Sequence, residues 1–392
     1  MTTDRPPAPG EPGGIALESA PADDVPRGVS TVPLAGGTQD EPRRIEILLP
    51  YGQGRDNVGF YYPQHALVPV QPKGFLPVAE GGFYVDDTAN RAIKRFRSDG
   101  TAELVIPYPD EFTPARTVSW LGVSGDAVYL ASRDQAMCVG LDGSLRWMLS
   151  APGPADLQER KAGHPAGLTV LRNGVEEPYS LASVLPTGWS EAGVVGGIFS
   201  RCAEYDTAMV ADADSVRLTV LLQSRTDWAA VLLELTHDGR LVGKPRALIR
   251  NANGEWYDLS GRTTSPRMHD WWYDLSVPGH KSIKRLGPDG HPRPALEVPV
   301  PALLPTDRKL LRVDWLVRPD GSLLHLRHYA TPDDRMGLQV IHLSQDGSEL
   351  SRLDVSRPRC PGLPVRCHLD PNGDLWTWQS TDDGVRLTKY VF

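Results

Sequence analysis

The chain has 392 residues, of which 40% are hydrophobic and 23% are charged, an ordinary composition for a globular protein. Its 38 glycines and 36 prolines argue against a coiled coil or a bundle of long helices, because both residues interrupt helices. The formal net charge of −8 argues against non-specific binding to nucleic acid or to an anionic membrane. No stretch approaches the ~18 consecutive apolar residues of a membrane-spanning helix, so no membrane span is expected.

Residues 1–43 differ from the rest of the chain. They hold eight prolines, six glycines and no aromatic residue, and seven acidic against three basic side chains. Such a segment buries too little apolar surface to offset its ordering entropy, so we expect a disordered tail. The alternative is a docking peptide that orders on a partner through the apolar pieces at residues 14–17 and 29–34.

The four cysteines are too few for a disulfide framework, and the N-terminus has no apolar signal segment. Both features favour free thiols and a cytoplasmic protein.

Asp-Gly turns recur along the chain, each after a short apolar strand. Residues 92–100 (AIKRFRSDG) and 282–290 (SIKRLGPDG) are the clearest pair, and further Asp-Gly turns lie at 142–143, 238–239 and 346–347. Asp-Gly between two such strands is a strong hairpin signal. If the repeat has a constant length, the distance between residues 143 and 238 spans two repeats, and the Asp-Gly turn between them has been lost.

A second series of turns runs out of phase with the first, at residues 80–82, 124–126, 173–174, 213–214, near 266, 319–321 and 371–373. The turns of this series are about 48 residues apart. Two hairpin turns per repeat imply four strands per repeat, which is typical of a β-propeller blade with WD40-like architecture. The sequence therefore predicts an all-β fold with a propeller over residues 44–392.

The two ends of the repeat region complement each other. Residues 46–51 (EILLPY) match residues 103–108 (ELVIPY), which follow an Asp-Gly turn as the outer strand of a blade, whereas the last repeat stops after three strands. We therefore expect residues 44–50 to complete the last blade, which would remove an open sheet edge. The turn count predicts seven blades, or six if residues 151–205 are an insertion.

Residues 84–96 carry the best local motif. Five of them (Val85, Asp87, Thr88, Asn90 and Ile93) fit the pattern V-x-D-T-x-N-x-x-I before a short strand and an Asp-Gly turn. In this stretch the chain resembles the NHL-repeat propellers, while the other blades keep little more than the turns. The resemblance implies a propeller of the broad NHL/SMP-30-like group and does not transfer an activity.

The connections between second and third strands share one propeller face with the connections between blades, and ligand sites of propellers usually lie there. Aspartates on this face, among them Asp87, Asp334 and Asp383, are candidate ligands for Ca²⁺ or another divalent ion. The alternative is that each carboxylate accepts hydrogen bonds from turn amides. SMP-30-like lactonases hold one divalent ion in the channel, so this resemblance implies a metal-dependent lactonase as one possible function.

Two long segments concentrate aromatic side chains. Residues 52–74 contain Phe60, Tyr61, Tyr62 and His65, and residues 251–273 contain Trp256, Tyr257, His269, Asp270, Trp271 and Trp272. Aromatic clusters on a rigid scaffold are typical anchors of protein interfaces. Packing between blades is the alternative for both segments.

Catalytic motifs do not emerge from the sequence. His325 and His328 lie three apart on a predicted strand, so their side chains point to opposite faces, and His342 lies in an apolar strand. His269 beside Asp270 is therefore the histidine to test. We therefore favour a non-catalytic propeller that binds another protein or an extended ligand through its loop face, with the tail as tether or docking arm. A metal-dependent lactonase is the alternative, and a glycan-binding propeller is a third.

Overall fold

The structure is a computed structural model, and the chain is all-β apart from one turn of 3-10 helix in the part described. The structure describes residues 42–61, 70–72, 74–110, 112, 120–131, 135–150, 168–179, 196–198, 209–211, 214–223, 228–250, 256–258, 263–264, 271–274, 280–286, 292–299, 308–332, 336–345, 347–356 and 366–392. Within these ranges no helix is long and apolar enough to cross a membrane. The predicted tail, up to residue 41, lies outside them.

The first two sheets occupy the N-terminal half. Sheet 1 is formed by β2 (Gly74–Pro77), β3 (Phe83–Asp87), β4 (Ala92–Phe96) and β5 (Ala102–Pro107), with the 3-10 turn Thr88–Asn90 between β3 and β4. Sheet 2 is formed by β6 (Trp120–Ser124), β7 (Ala127–Ala131), β8 (Gln135–Gly140) and β9 (Leu145–Ser150), extended beyond β9 by β10 (Leu168–Arg172) and β11 (Val175–Tyr179). All neighbouring strands in both sheets are antiparallel.

The middle of the chain forms two sheets. Sheet 3 contains β12 (Gly196–Ile198), β13 (Met209–Ala211), β14 (Val216–Gln223), β15 (Trp228–Leu235), β16 (Arg246–Arg250), β17 (Trp256–Asp258) and β18 (Thr263–Thr264). Its short strands β12 and β13 both pair with β14, at opposite ends of that strand. Sheet 4 contains β19 (Trp271–Asp274), β20 (His280–Leu286) and β21 (Pro292–Pro299).

The last two sheets have four strands each. Sheet 5 is formed by β22 (Lys309–Val317), β23 (Leu323–Ala330), β24 (Met336–Leu343) and β25 (Glu349–Ser356), and sheet 6 by β26 (Arg366–Leu369), β27 (Leu375–Ser380) and β28 (Gly384–Val391). The fourth strand of sheet 6 is β1 (Arg43–Pro50), which pairs antiparallel with β28 from Arg43 opposite Val391 to Pro50 opposite Gly384. The N-terminal segment thus pairs where its sequence predicts.

The predicted Asp-Gly turns are tight hairpin turns stabilised by their own side chains. In the turn after β4, Gly100 has φ +82°, and the Asp99 carboxylate accepts bonds from the Thr101 amide at 2.9 Å and the Thr101 hydroxyl at 2.6 Å. Asp142 with Ser144 and Asp320 with Ser322 repeat this arrangement. The Asp-Gly signal works because glycine adopts positive φ without strain and aspartate supplies the acceptor.

Buried side chains lie between four pairs of sheets in the described part of the chain. The period-two pattern of β14 places Val216, Leu218 and Val220 on the face that packs against sheet 2. Other clusters join sheet 1 to sheet 2, and sheet 5 to sheet 6. A fourth cluster joins sheet 6 to sheet 1, through Trp376 and Leu49 on one side and Phe75 and Phe83 on the other. Sheets stacked in this order support the predicted β-propeller architecture.

One glycine contact recurs between sheets. A Cβ added to Gly143 would lie 3.6 Å from Pro107 in the outer strand of the preceding sheet, and one added to Gly239 would lie 2.6 Å from the Trp147 ring in β9. A Cβ added to Gly100 would lie 3.0 Å from Ile47 in β1. Sheets 6 and 1 come from opposite ends of the chain. They nevertheless share the kind of contact that is found between sheets that follow each other in the sequence.

The turn at Asn173 and Gly174 differs from the prediction. The repeat predicts a turn inside a blade, but this turn joins β10 to β11, and the hairpin extends sheet 2 beyond β9. The described strands therefore fall into six sheets. An Asn-Gly turn marks any tight hairpin, so the signal does not distinguish a blade from an added hairpin.

Candidate functional site

The described part of the loop face is organised by the link that follows β1. The Val58 amide donates to the Pro50 carbonyl and the Gly52 amide to the Val58 carbonyl, both at 2.9 Å, so residues 51–58 form a closed loop. The Asn57 side chain donates to the Tyr51 carbonyl at 3.2 Å. These bonds give an irregular segment a defined conformation.

Asp87 and Lys94 fasten this loop to sheet 1. Both side chains are buried, and the Lys94 Nζ lies 2.9 Å from Asp87 Oδ2. The ammonium also donates to the carbonyls of Gly54 at 3.1 Å and Asn57 at 2.7 Å. Asp87 accepts further bonds from the Gly59 amide at 2.7 Å and the Asn90 side chain at 2.8 Å. We call Asp87 and Lys94, with these contacts, the loop clamp.

The neighbouring carboxylate, Asp86, is also buried and engaged. The Thr88 hydroxyl lies 2.7 Å from Asp86 Oδ1, and the Tyr108 hydroxyl donates to the same oxygen. Burial, together with the Asp86 charge, raises the pKa of Tyr108 well above its ordinary value, so the phenol stays protonated. Three residues of the NHL-like motif thus lie in two neighbouring sets of hydrogen bonds: Thr88 bonds to Asp86, whereas Asp87 and Asn90 belong to the loop clamp.

Two of the predicted aromatic residues directly follow Gly59, whose amide bonds to Asp87 of the loop clamp. The Phe60 ring contacts the Tyr51 ring with centroids 4.6 Å apart. Tyr61 is 50% exposed, and its backbone is held by two hydrogen bonds with Val70, at 2.8 and 3.0 Å. Tyr62 and His65 lie outside the described residues. The loop face therefore presents a half-exposed tyrosine whose backbone amide and carbonyl are both hydrogen-bonded.

The second aromatic segment divides between two sheets. Trp256 and Tyr257 lie in β17 of sheet 3, whereas Trp271 and Trp272 lie in β19 of sheet 4. His269 and Asp270 lie outside the described residues. Proximity in sequence therefore does not place these residues in one sheet, and their role in binding stays a prediction.

The predicted metal ligands have different surroundings. The Asp87 oxygens accept bonds from Lys94, Asn90 and Gly59, which favours the structural alternative for this residue. Asp383 is exposed, and its carbonyl accepts a bond from the Tyr51 amide at 3.3 Å. Asp334 lies outside the described residues. Among the residues that the structure describes, no three histidine, cysteine or acidic side chains are grouped as metal ligands.

Sheet 5 contains a pair that the sequence does not reveal. His328 is buried, and its Nε2 lies 3.1 Å from Asp314 Oδ2 on the neighbouring strand. The Trp315 ring stacks on His325 with centroids 4.0 Å apart. A register shift between Leu310 and Arg312 determines which side chains of β22 and β23 face each other. Because the sequence does not show this bulge, it does not predict that His328 and Asp314 meet.

Comparisons with known proteins give structural likeness without sequence relatives. No protein-family model and no curated protein sequence matches the chain. A member of the DUF4221 family from Bacteroides vulgatus is similar over 90% of this chain and 99% of its own, with 10% identity and a TM-score of 0.45. The WD40 domain of SCAP from fission yeast is similar over 85% and 98%, with 10% identity and a TM-score of 0.33. Regucalcin from Agrobacterium tumefaciens, a calcium-binding protein, is similar over 81% and 90%, with 11% identity and a TM-score of 0.35.

Proposed function

We propose that the chain is a closed β-propeller of six blades, with β1 as the outer strand of the last blade. Four observations support this architecture. The N-terminal strand pairs with the C-terminal one, the cluster between sheets 6 and 1 resembles those between sheets adjacent in the chain, and the glycine contact recurs there. The inner strands β26, β2, β6 and β13 also lie next to one another in that order.

Truncation tests the closure. Removing residues 1–41 should leave the melting temperature unchanged, whereas removing residues 1–50 should abolish cooperative unfolding, because β28 and the sheet 6 to sheet 1 core would be exposed. Equal stability of the two truncated chains would contradict the closed ring.

We further propose that this propeller is a non-catalytic scaffold that binds another protein through its loop face, with Tyr61 as an anchor and residues 1–41 as tether or docking arm. The observation that carries the proposal is the half-exposed Tyr61 on a link fixed by the loop clamp. A large aromatic side chain whose backbone is already ordered loses little entropy on binding, and such residues dominate interface energetics.

The test compares two exposed positions. The full chain, its Tyr61→Ser variant and its Leu350→Ser variant serve as baits in quantitative affinity capture, because Leu350 is similarly exposed but lies in β25. A partner of the loop face should be retained by the wild type and by Leu350→Ser and lost by Tyr61→Ser. With the purified partner, the Tyr61 change should weaken Kd by about 30-fold, as expected for an interface hot spot. If every captured protein binds the two variants equally, Tyr61 is not an anchor and the proposal is wrong.

A further inference from the structure

The Asn173-Gly174 turn has no place in the blade repeat, and its surroundings differ from those of the other turns. Asn173 and Gly174 have φ of +52° and +73°, and they follow Arg172, which pairs with Val175 at the end of the hairpin. Residues 173–178 are all exposed, and nothing lies within 4 Å of a Cβ added to Gly174. Among the described residues the Gly174 amide has no hydrogen-bond acceptor, and the residue is exposed.

The sequence contains two further Asn-Gly pairs, of which 253–254 lies outside the described residues and Asn372-Gly373 provides an internal comparison. The Gly373 amide donates to the Asp370 carbonyl and the Asn372 amide to the Asp370 carboxylate, both at 2.9 Å. A Cβ added to Gly373 would lie 2.9 Å from Pro319. The same two-residue sequence is therefore packed and hydrogen-bonded in one place and open in the other.

We propose that Asn173 is a site of spontaneous deamidation in the folded protein. The deprotonated Gly174 nitrogen attacks Asn173 Cγ, so that a bond forms between Gly174 N and Cγ while the bond from Cγ to Nδ2 breaks. Nδ2 leaves as ammonia with the proton that the backbone nitrogen gave up to solvent. Water then opens the five-membered imide at one of its two carbonyls, which leaves aspartate or isoaspartate at position 173.

Both structural differences act on this reaction. A backbone nitrogen that donates to a carbonyl, as in Gly373, must lose that bond before it can attack, whereas the Gly174 nitrogen makes no such bond within the part of the chain that the structure describes. The attack also requires rotation about the asparagine backbone, which is easiest at an exposed hairpin tip. Conversion would add a carboxylate near the exposed Glu176 and Glu177. Isoaspartate would also lengthen the main chain inside a two-residue turn and so disturb the pairing of β10 with β11.

The experiment ages the full-length folded protein at mildly alkaline pH and 37 °C and follows each asparagine by peptide mapping with mass spectrometry. The rate at Asn173 is divided by the rate at Asn372, and the same ratio is measured in concentrated urea, which removes the structural difference and leaves the influence of sequence neighbours. Isoaspartate is detected independently by enzymatic methylation with a labelled methyl donor. The Asn173→Gly variant, which keeps a turn of the favoured type, assigns the methylation signal.

The expected result is a ratio in the folded protein that exceeds the ratio in urea by about tenfold or more. Methylation in the peptide that contains residue 173 should then be lost in Asn173→Gly, while methylation at the other two Asn-Gly pairs should stay the same. Two results would overturn the proposal: equal ratios in the folded protein and in urea, or conversion at Asn372 that matches conversion at Asn173 in the folded protein.

Discussion

The Asp99 turn and the loop clamp of sheet 1 are ordered by different means. In the Asp99 turn, one carboxylate satisfies the amide and hydroxyl of a residue two positions away. In the loop clamp, the Asp87 carboxylate binds an amide 28 residues away, and Lys94 binds carbonyls 37 and 40 residues away. The first arrangement is complete within a few residues, whereas the second requires β1, its link and sheet 1 to be assembled first.

This difference separates a repeated element from a specific one. The Asp-Gly turn can recur because it depends only on its own residues. With serine in place of threonine, it recurs after β8 and between β22 and β23. The loop clamp joins two segments that meet once in the chain, so it gives the loop face a feature that the repeat does not encode. A binding face built from such contacts differs from blade to blade even when the turns are alike.

The largest effect should come from breaking the loop clamp. In Lys94→Met the buried Asp87 carboxylate loses its cation, and the carbonyls of Gly54 and Asn57 lose their donor. We expect a loss of about 3–5 kcal/mol in the free energy of unfolding, measured by urea denaturation of the full chain. The double variant with Asp87→Asn should recover part of this loss because no unpaired charge remains.

The matched control for this prediction is Arg146→Gln, which removes a cation from the largely exposed pair with Asp126. Exposed ion pairs contribute little, so this variant should unfold almost like the wild type. If Lys94→Met destabilised the chain no more than Arg146→Gln, the clamp would be a consequence of the fold rather than a cause of its stability.

Asp370 is a turn aspartate that also makes contacts with residues outside its turn. Its carboxylate accepts from two turn amides, but it also accepts from Trp376 Nε1 at 3.1 Å and lies 2.9 Å from Lys389 Nζ. Burial raises the pKa of Asp370, but the hydrogen bonds from Lys389, the Asp374 amide and Trp376 outweigh it, so the pKa is lowered. A lowered pKa in the folded state means that this carboxylate stabilises the fold above its unfolded pKa of about 3.9.

We therefore expect Asp370→Asn to cost about 1.5–3 kcal/mol near neutral pH, where the carboxylate is charged. The wild type should lose this advantage as the pH falls through the folded pKa, below about pH 4, and the two unfolding free energies should converge there. Urea denaturation at pH 7 and at pH 3 measures this. A difference that stays constant with pH would show that packing rather than charge distinguishes the two side chains.

The sequence predicted what depends on short stretches of residues. The Asp-Gly turns were confirmed where the structure describes them, and the pairing of residues 44–50 with the last strand followed from the likeness of residues 46–51 to residues 103–108. The contacts of Asp87 with Lys94 and of Asp314 with His328 could not be predicted, because each depends on the register of neighbouring strands. The turn at Asn173 shows the same limit, since its hairpin signal was correct and its sheet position was not.

The smallest expected effect is a difference, about 1–2 kcal/mol, between two glycines that share a backbone conformation but differ in their neighbours. Gly239 and Gly174 have φ of +83° and +73°, so replacing either by alanine costs about 1–2 kcal/mol for the left-handed conformation. At Gly239 the new Cβ would also lie 2.6 Å from the Trp147 ring of the preceding sheet, and this overlap should add about 1–2 kcal/mol.

The difference between the two unfolding free energies therefore measures the contact between sheets without the cost of the turn itself. Equal losses for Gly239→Ala and Gly174→Ala in urea denaturation would mean that the Trp147 ring moves aside freely. Sheets 2 and 3 would then be held together by their buried face alone, and the recurring glycine contact, including the one between Gly100 and β1, would lose its value as an argument for a closed ring.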